Sequence, residues 1–148
     1  MREIWSVGHS TRTIKEFLEI IKFYRIKTIV DVRRFPSSKK FPWFAREELS
    51  SSLQKEGIEY IWLGDKLGGF RKGGYENYMK KEEFLKGIEE LEKIANRGRT
   101  AFLCAEKLPF KCHRRFISRF LEERGWKVYH IIEKGRLYFK HGISSLFT

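Results

Sequence analysis

Three ionisable residues stand where apolar runs end, as they would if strands released them at one edge of a sheet. His9 follows Ile4-Trp5-Ser6-Val7-Gly8, Asp31 follows Thr28-Ile29-Val30, and Glu106 follows Phe102-Leu103-Cys104-Ala105. Asp31 is followed by Arg33 and Arg34, so a neighbouring guanidinium can hold its carboxylate ionised as a general base or orienting group. The plainer reading is a structural ion pair tying loop to sheet. Paired with Glu106, Asp31 has the makings of an acid and a base that activate water or stabilise a cationic, sugar-like transition state. His9 is a proton shuttle in the same setting, or a phosphate donor when charged.

A second group follows at Cys112-His113-Arg114-Arg115, at the expected start of a helix. Helix N-terminal amides lower a thiol's pKa and bind anions, and an arginine adds a forked donor for phosphate. Two readings stand: a nucleophilic thiolate, or an anion cradle in which Cys112 only packs. Ser118 occupies the place where thiol phosphatases carry their arginine, which turns the preference toward the cradle. Cys104-Ala105-Glu106 with Pro109 and Cys112-His113 faintly echoes a zinc-deaminase signature. Its halves stand too close and its ligand pair is adjacent, so neither a catalytic metal nor any other cofactor is expected, although four ligands in so short a loop could still bind zinc structurally.

Two loops supply cations and aromatics. Residues 33–44 carry Arg33, Arg34, Lys39 and Lys40, with Arg46 beyond, among Phe35, Phe41, Trp43 and Phe44. Cations track phosphates while aromatic faces stack unpaired bases. Gly68-Gly69-Phe70-Arg71-Lys72-Gly73-Gly74-Tyr75 repeats the combination, but lacks the lysine and hydroxyl residue of a P-loop. The substrate-binding set expected from these segments is Ser10, Arg33, Gly68, Gly69, Arg71 and Arg114.

The elements that must position these groups alternate between strand and helix. Strands are expected at 3–8, 26–32, 58–63, 100–104 and 126–132. Helices are expected from the Thr13–Glu16 capping box, over 45–56, over 81–95 with Phe84, Ile88, Leu91 and Ala95 inward, and over 113–123 burying Phe116, Ile117, Phe120 and Leu121. Residues 64–80 read as one long glycine-rich loop, and the tail from Leu137 as a short edge strand after a turn at Lys134-Gly135. The pattern predicts one α/β domain over 1–148, a Rossmann-like parallel sheet of about five strands with helices on both faces. With strand order 3-2-1-4-5, the first and fourth strands would flank the point where order reverses, where such sheets bind ligands.

Composition bounds the partners. The 148 residues carry a net charge of +12, which attracts polyanions. Asn and Gln total three residues against abundant Lys, Arg and Glu, as in a thermophile's ion-pair-rich surface, but that does not explain the imbalance of sign. Nucleic acid or a phosphorylated ligand is the expected partner. No apolar run approaches a membrane span and the N-terminus runs straight into a strand pattern, so a cytoplasmic location is expected. Two cysteines, Cys104 and Cys112, are too few for a disulfide framework; one bridge between them is open, as in the disulfide-rich intracellular proteins of hyperthermophiles, and free thiols are the default.

Val7-Gly8-His9-Ser10, Asp31-Val32-Arg33 with Pro36-Ser37, Leu67-Gly68-Gly69 with Arg71, and Leu103-Cys104-Ala105-Glu106 with Cys112-His113-Arg114 resemble, in order, the signature blocks of domain of unknown function 488. The resemblance implies a Rossmann-like fold and brings no settled reaction. The residues themselves point to a hydrolytic, metal-independent enzyme acting on nucleic acid or a nucleotide, with N-glycosidic cleavage among the chemistries that fit. A nucleic-acid-binding module without catalysis, and a Cys112-dependent enzyme on a small phosphorylated substrate, are the competing readings.

Overall fold

The computed structural model describes residues 2–139 with their side chains and the backbone of residues 142–145. Its frame is a sheet in the order β3-β2-β4-β1-β5-β6-β7. The strands are β1 (Arg2–Gly8), β2 (Thr28–Asp31), β3 (Glu59–Trp62), β4 (Thr100–Cys104), β5 (Trp126–Glu133), β6 (Arg136–Phe139) and β7 (Gly142–Ser145). The first five are parallel; β6 and β7 continue the sheet antiparallel from β5. The turn into β6 uses Gly135 at φ 81°, a conformation that costs a residue without Cβ little. The fold is thus the expected mostly parallel α/β sheet, extended by a hairpin.

The order corrects the expected 3-2-1-4-5. β4 is inserted between β1 and β2, pairing Trp5 with Ala101 on one side and Ile29 with Ala101 on the other. β4 is interior in either order, but here it is the middle one of the five parallel strands, a place its residues suit. Thr100-Ala101-Phe102-Leu103-Cys104 is buried along its whole length, sending Ala101 and Leu103 to one face and Phe102 and Cys104 to the other. A strand that is apolar in both parities belongs in the middle of a sheet covered on both sides.

One face is covered by α1 (Ile14–Phe23) and α2 (Arg46–Lys55), which bury Phe17, Ile21, Leu49 and Leu53 against Val7, Ile29 and Leu103. The Thr13–Glu16 capping box opens α1 as expected. The opposite face is covered by α5 (Glu82–Arg97) and α6 (Arg114–Glu123), which bury Phe84, Ile88, Ile117 and Leu121 against Ile4, Val30 and Phe102. Phe116 and Phe120 of α6, expected in the core, are only partly buried. Among the described residues no helix is long and apolar enough to cross a membrane.

Residues 64–80 are not one open loop. They contain two helical turns, α3 (Gly64–Leu67) and α4 (Tyr75–Tyr78). Gly64 and Gly68 pack against the Arg33 carbonyl and the Arg34 backbone so closely that a Cβ would stand 1.9 and 2.6 Å from those atoms. The glycines expected in an open loop serve close approach instead, and Leu67 and Tyr78 from the same segment enter the core.

Gly8 makes the tightest such approach. A Cβ there would lie 1.7 Å from the Glu106 carbonyl oxygen, so β1 can end beneath the β4–α6 loop only without a side chain. Gly8→Ala should destabilise the protein by at least about 2 kcal/mol, because backbone must move. Gly57→Ala, at φ 74° with open space around it, should cost only the left-handed penalty of about 1 kcal/mol. Denaturant unfolding of both variants checks this, and equal losses would show that the Gly8–Glu106 approach is not held in solution.

Candidate functional site

β1 and β2 send their following helices to one face, whereas β4, which lies between them, sends α6 to the other. The chains therefore diverge above the end of β4, and a cleft of about 1050 Å³ opens there. Its wall includes His9, Ser10, Arg33, Gly69, Glu106, Cys112 and His113. Asp31, Gly68, Arg71 and Arg114, expected at the same site, are not on the wall.

Each of the four has a physical reason to be elsewhere. Asp31 is fully buried, pairs with Leu103 of β4 in register, and receives the Arg33 backbone amide and guanidinium at 2.8–3.0 Å. The Tyr60 hydroxyl also donates to it, and burial with the Asp31 charge pushes that phenol's pKa up, so it stays a donor. The carboxylate is saturated behind Arg33, in the arrangement of a structural ion pair. Gly68 is packed under Gly64 and Arg34. Arg71 turns away to the carbonyls of Gly68 and Asp65, at 2.8 and 2.6 Å, and lies over the Tyr78 ring.

Arg114 is buried to 0% exposure. Its guanidinium donates to the carbonyl of Glu106 at 2.6 Å, to that of Lys107 at 3.3 Å and to Ser6 Oγ at 3.1 Å. It clasps the β4–α6 loop onto β1 and presents nothing to an incoming phosphate. The amides expected to form an anion cradle are also taken. Arg114 N donates to Cys112 Sγ at 3.4 Å, Arg115 N to the Cys112 carbonyl and Phe116 N to the His113 carbonyl.

What the helix start cradles is a sulfur. Cys112 Sγ lies 2.7 Å from Cys104 Sγ and 3.7 Å from His113 Nδ1. His113 Nε2 sits 3.0 Å from the Val32 carbonyl, which can only accept, so Nε2 carries the proton and Nδ1 is left to receive one from the thiol. The hydrogen bond from Cys104, the His113 ring and the Arg114 charge together hold the Cys112 thiol down to about 4, against the opposing effect of burial. Burial and the contact with Cys112 push the Cys104 thiol up. Cys104 was legible as a sulfur at a strand end, but its pairing with Cys112 depends on how the loop of residues 105–111 folds back.

His9 shows a different environment. Its ring stacks on Phe44 at 4.4 Å, and its Nδ1 donates to the Ser10 carbonyl at 2.9 Å. Burial lowers its pKa to about 4, so Nε2 is an unprotonated base at neutral pH. Ser10 adopts φ 51°, the bend that returns its amide to the Ala105 carbonyl. Glu106 is exposed and lines the cleft.

The rest of the wall is positive and aromatic. Arg33, Arg34, Lys39, Lys40, Lys107 and Lys111 face a single carboxylate, Glu106. Phe35 and Phe70 stand 64% and 84% exposed at its rim, with ring centroids 5.9 Å apart. Large apolar groups so exposed beside cations mark a binding surface. Tyr75, read in the sequence only as a loop aromatic, packs 5.3 Å from the His113 ring, a contact with a residue distant in the chain. Among the described residues no group of three or more His, Cys, Asp or Glu is arranged to hold a metal ion.

The family model described as Domain of unknown function DUF488 matches residues 13–74 and 70–121. Searches of curated proteins and of solved structures gave no match.

The two buried imidazoles set a pH dependence. His9 is lowered to about 4 by burial, and His130 to about 3 by burial and the nearby Arg114 charge, both from 6.5. Between pH 6.5 and about 4 the unfolded chain takes up protons that the folded one refuses. Their neutral forms therefore cost nothing above pH 6.5, and stability falls as the pH drops below it. From pH 7.5 to pH 5 each histidine should remove about 2 kcal/mol. Denaturant unfolding of the wild type and of His9→Phe across this range should show a shallower slope in the variant; parallel curves would refute the buried neutral His9.

Proposed function

The chain belongs to the family described as domain of unknown function DUF488, whose name carries no reaction, and we propose from its cleft that it is a Cys112-dependent hydrolytic enzyme acting on an anionic substrate that bears a planar ring, such as a nucleotide or an unpaired base of a nucleic acid. One observation carries this reading: Cys112 Sγ lies on the cleft wall with His113 Nδ1 as proton acceptor, and His113 is itself fixed by the Val32 carbonyl. Nucleophile, base and orienting group are thus in series. The preference moves from the anion cradle to the nucleophile because the amides and the guanidinium of the cradle have partners already.

In the proposed reaction the Cys112 proton passes to His113 Nδ1 and the thiolate attacks the electrophilic carbon or phosphorus. The leaving group departs with that proton, and a water deprotonated by His9 Nε2 or Glu106 releases the product. Cations of the 33–40 loop and Lys107 and Lys111 hold the substrate's negative charge, and Phe35 and Phe70 offer faces to its ring. Asp31 supports this site by fixing Arg33 rather than by touching substrate.

The alkylation rate of Cys112 against pH tests the nucleophile before any substrate is known. With its pKa lowered from 9.0 to about 4, the rate should stay within about threefold from pH 5.5 to 8.5. An ordinary thiol would slow by about tenfold per pH unit, and that result would sink the reading. His113→Ala should restore part of that slope.

The rim tests the ligand. A fluorescent single-stranded oligonucleotide should bind at low salt and weaken as salt rises, with a logarithmic slope of about −0.7 per phosphate neutralised. Phe70→Ala should weaken binding by about 5- to 150-fold, the range for losing one base stack. Binding that persists in Cys112→Ser, with no turnover of nucleotides or oligonucleotides by the wild type, would favour a binding module.

A further inference from the structure

We propose that Cys112 and Cys104 also form a hydroperoxide-reducing thiol pair, in which cleft-facing Cys112 is oxidised and buried Cys104 resolves it as an intramolecular disulfide. This goes beyond the substrate chemistry above: it uses the same Cys112 but needs neither the rim nor an organic substrate.

Three features carry it. The sulfurs are 2.7 Å apart, about 0.7 Å beyond the roughly 2.05 Å of a covalent S–S bond, so joining them asks for little backbone movement. The two sites are unequal in access. Both cysteines line the cleft, but Cys112 is only partly buried, whereas Cys104 is 2% exposed at the end of a central strand. A peroxide arriving from solvent therefore meets Cys112, and an external thiol cannot outcompete Cys104 for the product. Finally, Cys112 sits under the Arg114 amide and beside His113, the environment that favours a thiolate, which is the form that attacks peroxides.

The steps balance without a cofactor. The Cys112 thiol gives its proton to His113 Nδ1, and its sulfur attacks one peroxide oxygen. The O–O bond breaks, the departing alkoxide or hydroxide takes the proton from His113, and Cys112 becomes a sulfenic acid. The sulfur is oxidised by two electrons and the peroxide is reduced to alcohol or water. Cys104 then attacks the Cys112 sulfur, the S–O bond breaks, and the hydroxide leaves as water with the Cys104 proton. An S–S bond remains. A small dithiol returns both thiols and is the reductant of a full cycle.

Hydrogen peroxide at one equivalent, followed by alkylation under denaturing conditions and intact-mass measurement, tests the pair. The wild type should lose two hydrogens and accept no alkyl group, and dithiothreitol should restore two alkylatable thiols. Cys104→Ser should instead accumulate a Cys112 sulfenic acid that a 1,3-dicarbonyl reagent traps. Cys104→Ala serves if serine is not tolerated at this buried position. Wild-type protein that keeps two free thiols, or that gives a trappable sulfenic acid with no disulfide, overturns the proposal. Because no organic substrate is present, a failure here is separate from a failure of the hydrolytic reading.

Discussion

The buried guanidinium of Arg114 is the constraint around which the site is arranged. A cation removed from water is costly, and among the described residues no carboxylate pairs with this one. Its two terminal nitrogens are met by polar groups that would otherwise have no reason to converge, the Glu106 and Lys107 carbonyls and Ser6 Oγ, while its Nε is buried without a partner. Each contact ties the β4–α6 loop to the sheet. Ser6 in turn contacts His130 Nδ1, and that imidazole stays neutral beside the positive charge. The Arg114 charge also lowers the Cys112 thiol, so the cost of burying a cation is offset in part by stabilising an anion one turn away. One side chain thereby sets the loop's position and contributes to the thiol's chemistry beside Cys104 and His113.

Sheet topology supplies the opening that this loop closes on. Because β4 lies between β1 and β2, the loop leaving β4 meets His9 on one side and Val32-Arg33 on the other. His113 Nε2 bonds the Val32 carbonyl, so α6 is docked onto the end of β2 as well as onto β1. The Asp31–Arg33–Tyr60 cluster stiffens the β2 end from below. Three strand ends are thus locked to one another by polar contacts that leave His9 Nε2, the Glu106 carboxylate and Cys112 Sγ for the cleft.

Much of this was legible in the sequence, because local pattern encodes elements and their ends. The capping box at Thr13–Glu16, the apolar run through β4 and the inward face of α5 depend on neighbours within a few residues. His9, Glu106, Cys112 and His113 could be singled out by their place at element ends. Strand order could not, since no local signal distinguishes a β4 that lies outside β1 from one inserted beside it. The roles of Asp31, Arg71 and Arg114 were obscured for a related reason. A charged side chain looks the same in sequence whether its donors meet a ligand or the protein's own carbonyls. Only the folded backbone shows that Arg71 caps the turn at Gly64–Leu67 and that Arg114 clasps residues 106 and 107.

Cys112, His113 and Arg114 show how three successive residues serve three directions. At the entry to a helix the chain is not yet committed to the 100° rotation that separates helical neighbours, and each residue keeps its own heading. Cys112 is extended, at φ −146° and ψ 158°, and turns its sulfur to the cleft and to Cys104. His113 is the cap residue, and its ring reaches across to β2. Arg114 begins the helix and points into the interior. The backbone amide of the third is thereby placed on the sulfur of the first, while the imidazole of the second stands at hydrogen-bond range of that same sulfur. A thiolate stabilised in this way needs no charge brought from elsewhere in the sequence. Lys39 and Lys40 of the cationic loop stand on the cleft wall, where they can act on whatever enters.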